Sequence, residues 1–182
     1  DEIRELVRRF EELVRRNVEH LKKLLRDAEK LVKENEKHLE DLLREIEETV
    51  KRLLDKIRRE GPTEELKREA EKKAKELEER LKKNKEDHEE RDKRIRDALK
   101  RNEDEHRKRS ERLKEELDRD IKDKDKARDV EKRIEDLNRE IKEIIRRVEE
   151  RLKELNKRIE KLLEEVRDTL RRLKEELDRA MT

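Results

Sequence analysis

The apolar residues of this 182-residue chain follow an 18-residue repeat. Leu21 and Leu24, near the start, recur one repeat later as Leu39 and Leu42. The same spacing appears further along the chain in the pairs Leu81 and Leu99, Ile141 and Ile159, and Val148 and Val166. Eighteen residues make five turns of an α-helix at 3.6 residues per turn, whereas a heptad repeat would impose a left-handed supercoil. The repeat therefore predicts long, nearly straight helices.

Composition supports helices and excludes most other structures. Charged residues make up 63% of the chain, against about 25% in an average protein. Phe10 is the only aromatic residue, and there is one Gly and one Pro, so the strand and turn residues of a β-sheet protein are missing. Disorder is not expected, because the apolar residues are periodic and Glu, Lys, Arg and Leu all favour helix.

Several locations and partners are not expected. No apolar run approaches the roughly 20 residues of a membrane span, and no N-terminal stretch resembles a signal peptide. The formal net charge is +2, and the two signs are interleaved rather than collected in a basic block, so neither nucleic acid nor an anionic membrane is an expected partner. The chain has no Cys, so the compartment is not encoded. We expect a soluble protein, cytoplasmic when expressed in a host, with no small-molecule substrate.

Two interruptions divide the chain into three predicted helices, at about 2–60, 64–122 and 129–180. Gly61 suits the left-handed position past a helix end, and Pro62 cannot continue the preceding helix. Thr63 then reads as a helix N-cap. The second interruption is weaker: the apolar pattern stops at Ile121, and Asp129 is the expected N-cap of the last helix. Short connections predict an all-α, up-down-up bundle of three antiparallel helices forming a single domain over 1–182.

The apolar stripes of the three predicted helices differ in width. At 100° per residue, the arc is roughly 160° in the first helix, roughly 140° in the third and roughly 80° in the second. A core-facing helix usually shows an arc of at least about 100°. The second helix is therefore expected to lie in the groove between the other two, whose remaining apolar surface would favour self-association into a homo-oligomer or filament.

Polar residues interrupt the stripes at matched positions. If the first helix folds back on the second about Gly61, facing residues have numbers that add up to about 122–123. The predicted facing pairs are Asn17 with His106, His20 with Asn102, Asn35 with His88, and His38 with Asn84. Imidazole and carboxamide groups each offer a donor and an acceptor, so they can satisfy each other when buried. A similar register across the second turn places Asn138 near Ser110 and Asn156 near Asp92.

Three interpretations of these polar residues remain open. They lie at the edge of the stripe in water, or they form a buried hydrogen-bond network that sets register and partner choice, or they belong to a catalytic or metal site. A metal or catalytic site would need further ligands, and no carboxylate or Cys shares the stripe with the histidines. Ser110 follows His106 by one turn but has no oriented base or oxyanion hole. No enzyme activity, metal or cofactor is therefore expected.

The 18-residue repeat, the matched Asn/His layers, the exterior of Glu, Lys and Arg, and the single Gly-Pro-Thr loop together resemble de novo designed helical bundles with buried hydrogen-bond networks. The resemblance covers the whole chain. It implies a protein with no natural biochemical function, often made to oligomerise into filaments or cages, and one that comes apart in acid when the layers contain His. The alternative is a static scaffold or interaction module whose polar layers only set register and specificity.

Overall fold

Three long α-helices make up the protein. The structure, a computed structural model, describes residues Glu2–Thr182, and its helices are α1 (Glu2–Glu60), α2 (Glu64–Asp120) and α3 (Lys124–Met181). No β-strand occurs within that range. The predicted all-α fold of three helices is confirmed. Across the same range, no helix carries an apolar stretch of the length needed to cross a membrane.

The first turn follows the sequence prediction. Gly61 has a φ of +79°, a left-handed conformation that residues with a Cβ rarely adopt, and its N–H donates to the carbonyl of Ile57 at 2.8 Å. The hydroxyl of Thr63 accepts the N–H of Leu66 at 3.3 Å, which is the predicted N-cap contact. The chain therefore reverses over a short connection, because Gly61 satisfies the end of one helix and Thr63 satisfies the start of the next.

The second turn differs from the prediction. Helix α3 begins at Lys124 rather than 129, and the capping residue is Asp123 rather than Asp129. The Asp123 carboxylate accepts the N–H of Asp125 at 3.1 Å, and its carbonyl accepts the N–H of Ala127. The first turns of α3 carry mainly charged residues, so the apolar period could not mark where the helix starts. The expected start was wrong for that reason.

Contacts between helices define their directions. Glu11 pairs with Arg133, Glu29 with Arg151, and Glu36 with Arg158, so each α1 carboxylate meets the α3 residue 122 positions later. A constant offset means that α1 and α3 run in the same direction. Between α1 and α2 the amide pairs Asn17–Asn102 and Asn35–Asn84 both have residue numbers that add up to 119, which is an antiparallel register. This is the up-down-up order that the sequence predicted.

The chain divides into two compact units, each containing a segment of all three helices. Unit 1 is the described part of residues 1–29 together with Lys93–Glu154, and unit 2 is Lys30–Asp92 together with Leu155–Thr182. That residues 1–182 form a single domain stays a prediction.

Each unit has its own apolar core. In unit 1, Phe10 and Leu21 of α1, Leu117 of α2 and Ile141 of α3 are at most 2% exposed. In unit 2, Leu39 and Ile46 of α1 and Ile159 and Val166 of α3 are fully buried, and the α2 residues Leu77 and Leu81 pack against them. A second cluster in unit 2, near the first turn, includes Leu53 and Leu66. The apolar stripes thus become the buried faces of the helices.

Candidate functional site: two polar layers

Helix α2 supplies the central residues of two polar layers. Asn102 and His106 are four residues apart, as are Asn84 and His88, so the members of each pair point about 40° apart around the helix axis. One residue of each pair can therefore reach α1 while the other reaches α3. The two pairs are separated by one 18-residue repeat, so the arrangement recurs after five turns.

Layer 1 lies in unit 1 and consists of Asn17, Asn102, His106, Ser110 and Asn138. The Asn102 amide Nδ2 donates to Asn17 Oδ1 at 2.5 Å. His106 Nε2 contacts Asn138 Oδ1 at 2.9 Å, and Asn138 Nδ2 donates to the Ser110 hydroxyl at 2.6 Å. His106 and Ser110 are 9% and 4% exposed. This layer joins α2 to both other helices.

Layer 2 lies in unit 2 and consists of Asn35, Asn84, His88, Asn156 and Glu160. Asn84 Nδ2 donates to Asn35 Oδ1 at 2.7 Å, and Asn35 is 1% exposed. His88 Nε2 contacts Asn156 Oδ1 at 2.6 Å, while Asn156 Nδ2 donates to the Glu160 carboxylate at 3.1 Å. The geometry of layer 1 is therefore repeated, with a carboxylate in the role that Ser110 has there.

The predicted pairing of the histidines with α1 is wrong. Asn17 and Asn35 bond to the asparagines of α2, and the α2 histidines bond to asparagines of α3. The prediction matched α2 against one neighbour only, whereas a third helix offers the histidines a second set of amides. The predicted proximity of Asn138 and Ser110 is confirmed. The predicted proximity of Asn156 and Asp92 stays a prediction.

The two histidines of α1 do not lie in the layers. His20 and His38 are both exposed, as the interpretation of solvated stripe-edge residues expects. Their predicted partners, Asn102 and Asn84, donate to Asn17 and Asn35 instead. Only His88 and His106 are buried among the four histidines. The polar layers therefore contain two imidazoles rather than the four that the sequence suggested.

The hydrogen bonds define the tautomer of both buried imidazoles. The amide nitrogens of Asn138 and Asn156 donate to Ser110 and Glu160, so the amide oxygens face the histidines as acceptors. Nε2 of each neutral imidazole must then carry the proton and donate it, which leaves Nδ1 with a lone pair. Protonation would add an N–H at Nδ1 and place a positive charge in the layer.

His106 also contacts an aromatic side chain. Its ring stacks on Phe10, with centroids 5.9 Å apart and planes 24° apart. Burial lowers the pKa of the His106 imidazole below its usual value of 6.5, more than the hydrogen bond to Asn138 raises it, and the charge of Arg109 lowers it further. The neutral form is therefore the one that this layer stabilises.

The asparagine pairs are only half satisfied. Within residues Glu2–Thr182, Nδ2 of Asn17 and Asn35 and Oδ1 of Asn84 and Asn102 are buried without a hydrogen-bond partner. Each pair thus forms one of the two hydrogen bonds that two amides can form, and leaves one donor on α1 and one acceptor on α2. A buried polar atom without a partner costs free energy, so the layers are retained at a cost to stability.

This leads to a prediction for the asparagine pair of layer 2. Asn84→Leu removes the donor to Asn35 and should lower the free energy of unfolding by about 1–3 kcal/mol, because a fully buried amide then has no partner. Asn35→Leu combined with Asn84→Leu should be close to wild type or more stable, since both polar groups are removed together. Urea unfolding at pH 8 measures Asn84→Leu, Asn35→Leu and the double variant. A double variant that loses the sum of the two single losses would contradict this account.

The chemistry available to the layers is limited. His106 uses its Nε2 proton for Asn138, and Ser110 accepts from the same amide, so no imidazole nitrogen is hydrogen-bonded to the hydroxyl as a base. Across the described residues, no group of three or more His, Asp or Glu side chains is arranged to hold a metal ion. What the arrangement does is join three helices through hydrogen bonds at two matched levels.

Sequence reasoning missed two members of this site. Glu160 accepts from Asn156, and the i, i+4 spacing on one helix face was the signal that would have found it. Phe10 was not among the residues predicted for the polar layers, whereas its ring stacks on His106. No sequence pattern marks that stacking.

No protein-family model matches this chain, and no curated protein is similar to it in sequence. Among solved structures, a computationally designed three-helix bundle aligns with all of this chain and with 89% of its own length. The two are 18% identical, with a TM-score of 0.48.

Proposed function

We propose that this chain is a structural helical bundle whose buried His–Asn contacts make its stability depend on pH, so that it is most stable when His106 is neutral and weakens in acid. The observation that carries the proposal is the surroundings of His106. The ring is 9% exposed, it stacks on Phe10 and it donates its proton to a neutral amide. Proton binding there would put a charge among groups that cannot balance it.

The neighbours of His106 support this direction. Phe10 of α1 and Asn138 of α3, which contact the ring from the other two helices, carry no charge. The charged group that acts on the ring is Arg109 of α2, and it opposes a second positive charge. Burial and this cation both favour the neutral imidazole, so the pKa of His106 is lower in the folded chain than in the unfolded one.

The sign of the pH dependence follows from linkage. Above pH 6.5 the imidazole is neutral in both states, and its contribution to stability is fully present. As the pH falls below 6.5, the unfolded chain binds a proton that the folded chain does not, and stability decreases until the lower folded pKa is reached. The slope for one such group is at most about 1.4 kcal/mol per pH unit.

The test is urea unfolding followed by circular dichroism between pH 8 and pH 5. Wild type is expected to lose stability from pH 6.5 downward, in a range where few carboxylates titrate. His106→Gln keeps a donor for Asn138 and should remove most of this slope. The matched control, His20→Gln with His38→Gln, changes two exposed histidines and should keep the wild-type slope. Equal slopes in wild type and His106→Gln would rule the proposal out.

A second candidate is a static scaffold in which the polar layers set register and specificity only. The observation that favours it is the repetition of an Asn–Asn contact between α1 and α2 in both layers, with no titratable group in either contact. Under this alternative, His106→Gln and wild type have the same pH dependence, while the asparagine variants described above still behave as expected.

Designed origin and self-association are further parts of the proposal. The 18-residue recurrence of the polar contacts supports a designed origin.

No large apolar residue is exposed within Glu2–Thr182, so a homo-oligomer or filament would rest on charged side chains and on half-buried residues such as Leu43 and Leu162. Light scattering at pH 8 and pH 4.5, with refractive-index detection because the chain has no Trp or Tyr, measures the native mass. A monomer at both values would remove self-association from the proposal.

A further inference from the structure

A trough lies between α2 and α3 in unit 2, with a volume of about 820 Å³. Leu81 of α2 and Leu163 and Leu170 of α3 line it with apolar surface. Its volume is in the range of small-molecule sites, which are usually apolar with a few placed polar groups. The narrow apolar stripe of α2 explains the trough, because α2 offers few large side chains to fill the space beside α3.

A polar contact between the two helices lies at each end of this trough. At one end Lys174 Nζ donates to the Glu78 carboxylate at 3.0 Å. At the other end His88 contacts Asn156, and His88 itself lines the trough. The stretch of α2 from Glu78 to His88 corresponds to about 15 Å at 1.5 Å per residue. The space suits an extended chain lying along the groove.

The charges around the trough are unbalanced. Among the described residues, Lys82, Lys85 and Arg171 line the trough and take part in no ion pair. Two of the four carboxylates around it are in ion pairs, and a third accepts from a neutral amide. Glu78 pairs with Lys174, Glu164 pairs with Arg167, and Glu160 accepts from Asn156. Glu89 and Glu160, whose partner Asn156 is neutral, are the remaining carboxylates, so the three cations without a counter-charge outnumber two carboxylates.

We propose that the trough between α2 and α3 of unit 2 binds an anionic amphiphile, a straight-chain fatty acid anion or a compound like it. Its hydrocarbon chain lies on Leu81, Leu163 and Leu170. Its carboxylate is held at the rim by Lys82, Lys85 and Arg171. An apolar floor attracts the chain of any amphiphile, and the unpaired cations select the anionic one.

The experiment titrates the full chain at pH 8 with sodium decanoate below its micelle concentration, using isothermal titration calorimetry. One site is expected, with an affinity that rises about two- to fourfold for each added CH₂ from octanoate to dodecanoate. Methyl NMR should show shifts at Leu81, Leu163 and Leu170. Decyltrimethylammonium, a cation with a chain of the same length, should bind at least about tenfold more weakly.

Two matched variants locate the carboxylate. Lys82→Gln, Lys85→Gln and Arg171→Gln in one chain should weaken decanoate binding about tenfold, because the apolar floor is retained while the cations are lost. The control replaces Lys100, Lys108 and Arg172 by Gln, three exposed cations that do not line the trough, and should bind as wild type does.

Three results would overturn the proposal. Equal binding of the anionic and cationic amphiphiles would show that the rim does not select charge. Equal weakening in both triple variants would show a general charge effect rather than a site. Absence of decanoate binding together with a native mass that is a multiple of the chain mass would show that a second copy covers the trough.

Discussion

Phe10→Ala is expected to lower the free energy of unfolding at pH 8 by about 3–5 kcal/mol, the usual cost of deleting a buried phenyl ring. Phe10 is 2% exposed in the core of unit 1, and its ring also covers His106. Its loss opens space beside the imidazole, so water or a repacked side chain can approach the ring. Urea unfolding at pH 8 measures the loss.

The same variant has a second expected effect, which separates packing from electrostatics. Because burial is the largest cause of the lowered pKa of His106, Phe10→Ala should bring that pKa closer to 6.5 and flatten the fall in stability between pH 6.5 and 5. Phe10→Leu keeps an apolar side chain over the imidazole and should retain more of the slope. If Phe10→Ala loses stability but keeps the full slope, the burial of His106 does not depend on the phenyl ring.

Leu39→Ala and Leu21→Ala are each expected to cost about 2.7–5.0 kcal/mol. Both side chains are fully buried, Leu21 in unit 1 and Leu39 in unit 2, and they lie one 18-residue repeat apart on α1. If residues 1–182 form a single cooperative domain, both substitutions shift one common transition. Hydrogen exchange and urea unfolding measure whether protection falls throughout the chain.

Leu21→Ala and Leu39→Ala can also give the opposite result. If each substitution lowers protection only in its own unit, and the urea transition separates into two steps, the single-domain prediction is wrong and the units unfold independently. Lys22→Ala and Glu40→Ala, each next to one of the buried leucines and exposed, provide the control. They should stay within about 0.5 kcal/mol of wild type.

Much of the fold was predictable because the apolar period and the turn residues report on the same local physics that forms the helices. Gly61 and Thr63 identified the first turn, because a left-handed glycine ends one helix and a capping hydroxyl begins the next. The start of α3 was not predictable from the period. Lys124–Asp129 turn mainly charged side chains to solvent, and a capping Asp is hard to distinguish among its charged neighbours.

The sequence indicated which residues belong to the polar layers better than it indicated which hydrogen-bond partner each residue has. The sequence placed Asn17, Asn102 and His106 within the apolar stripes, where a buried network was one of three open interpretations. In the structure Asn17 and His106 are buried, and Asn102 donates to Asn17. Which partner each residue takes depends on the rotation of α2 between two neighbours, and a comparison of α1 with α2 contains no information about α3. The exposure of His20 has the same origin, because a residue at the edge of a wide stripe is buried only if a neighbouring helix covers that edge.

The constant offset of 122 between the carboxylates of α1 and the arginines of α3 has a consequence for length. Glu11–Arg133 and Glu29–Arg151 are the same contact displaced by one 18-residue repeat, and a repeat of that length rotates a helix through five whole turns. Helices with this property have translational symmetry along their axes. Inserting or deleting one repeat in all three helices changes each by about 27 Å and leaves every side chain at the same azimuth, facing an equivalent neighbour. Length is therefore an adjustable parameter of this architecture.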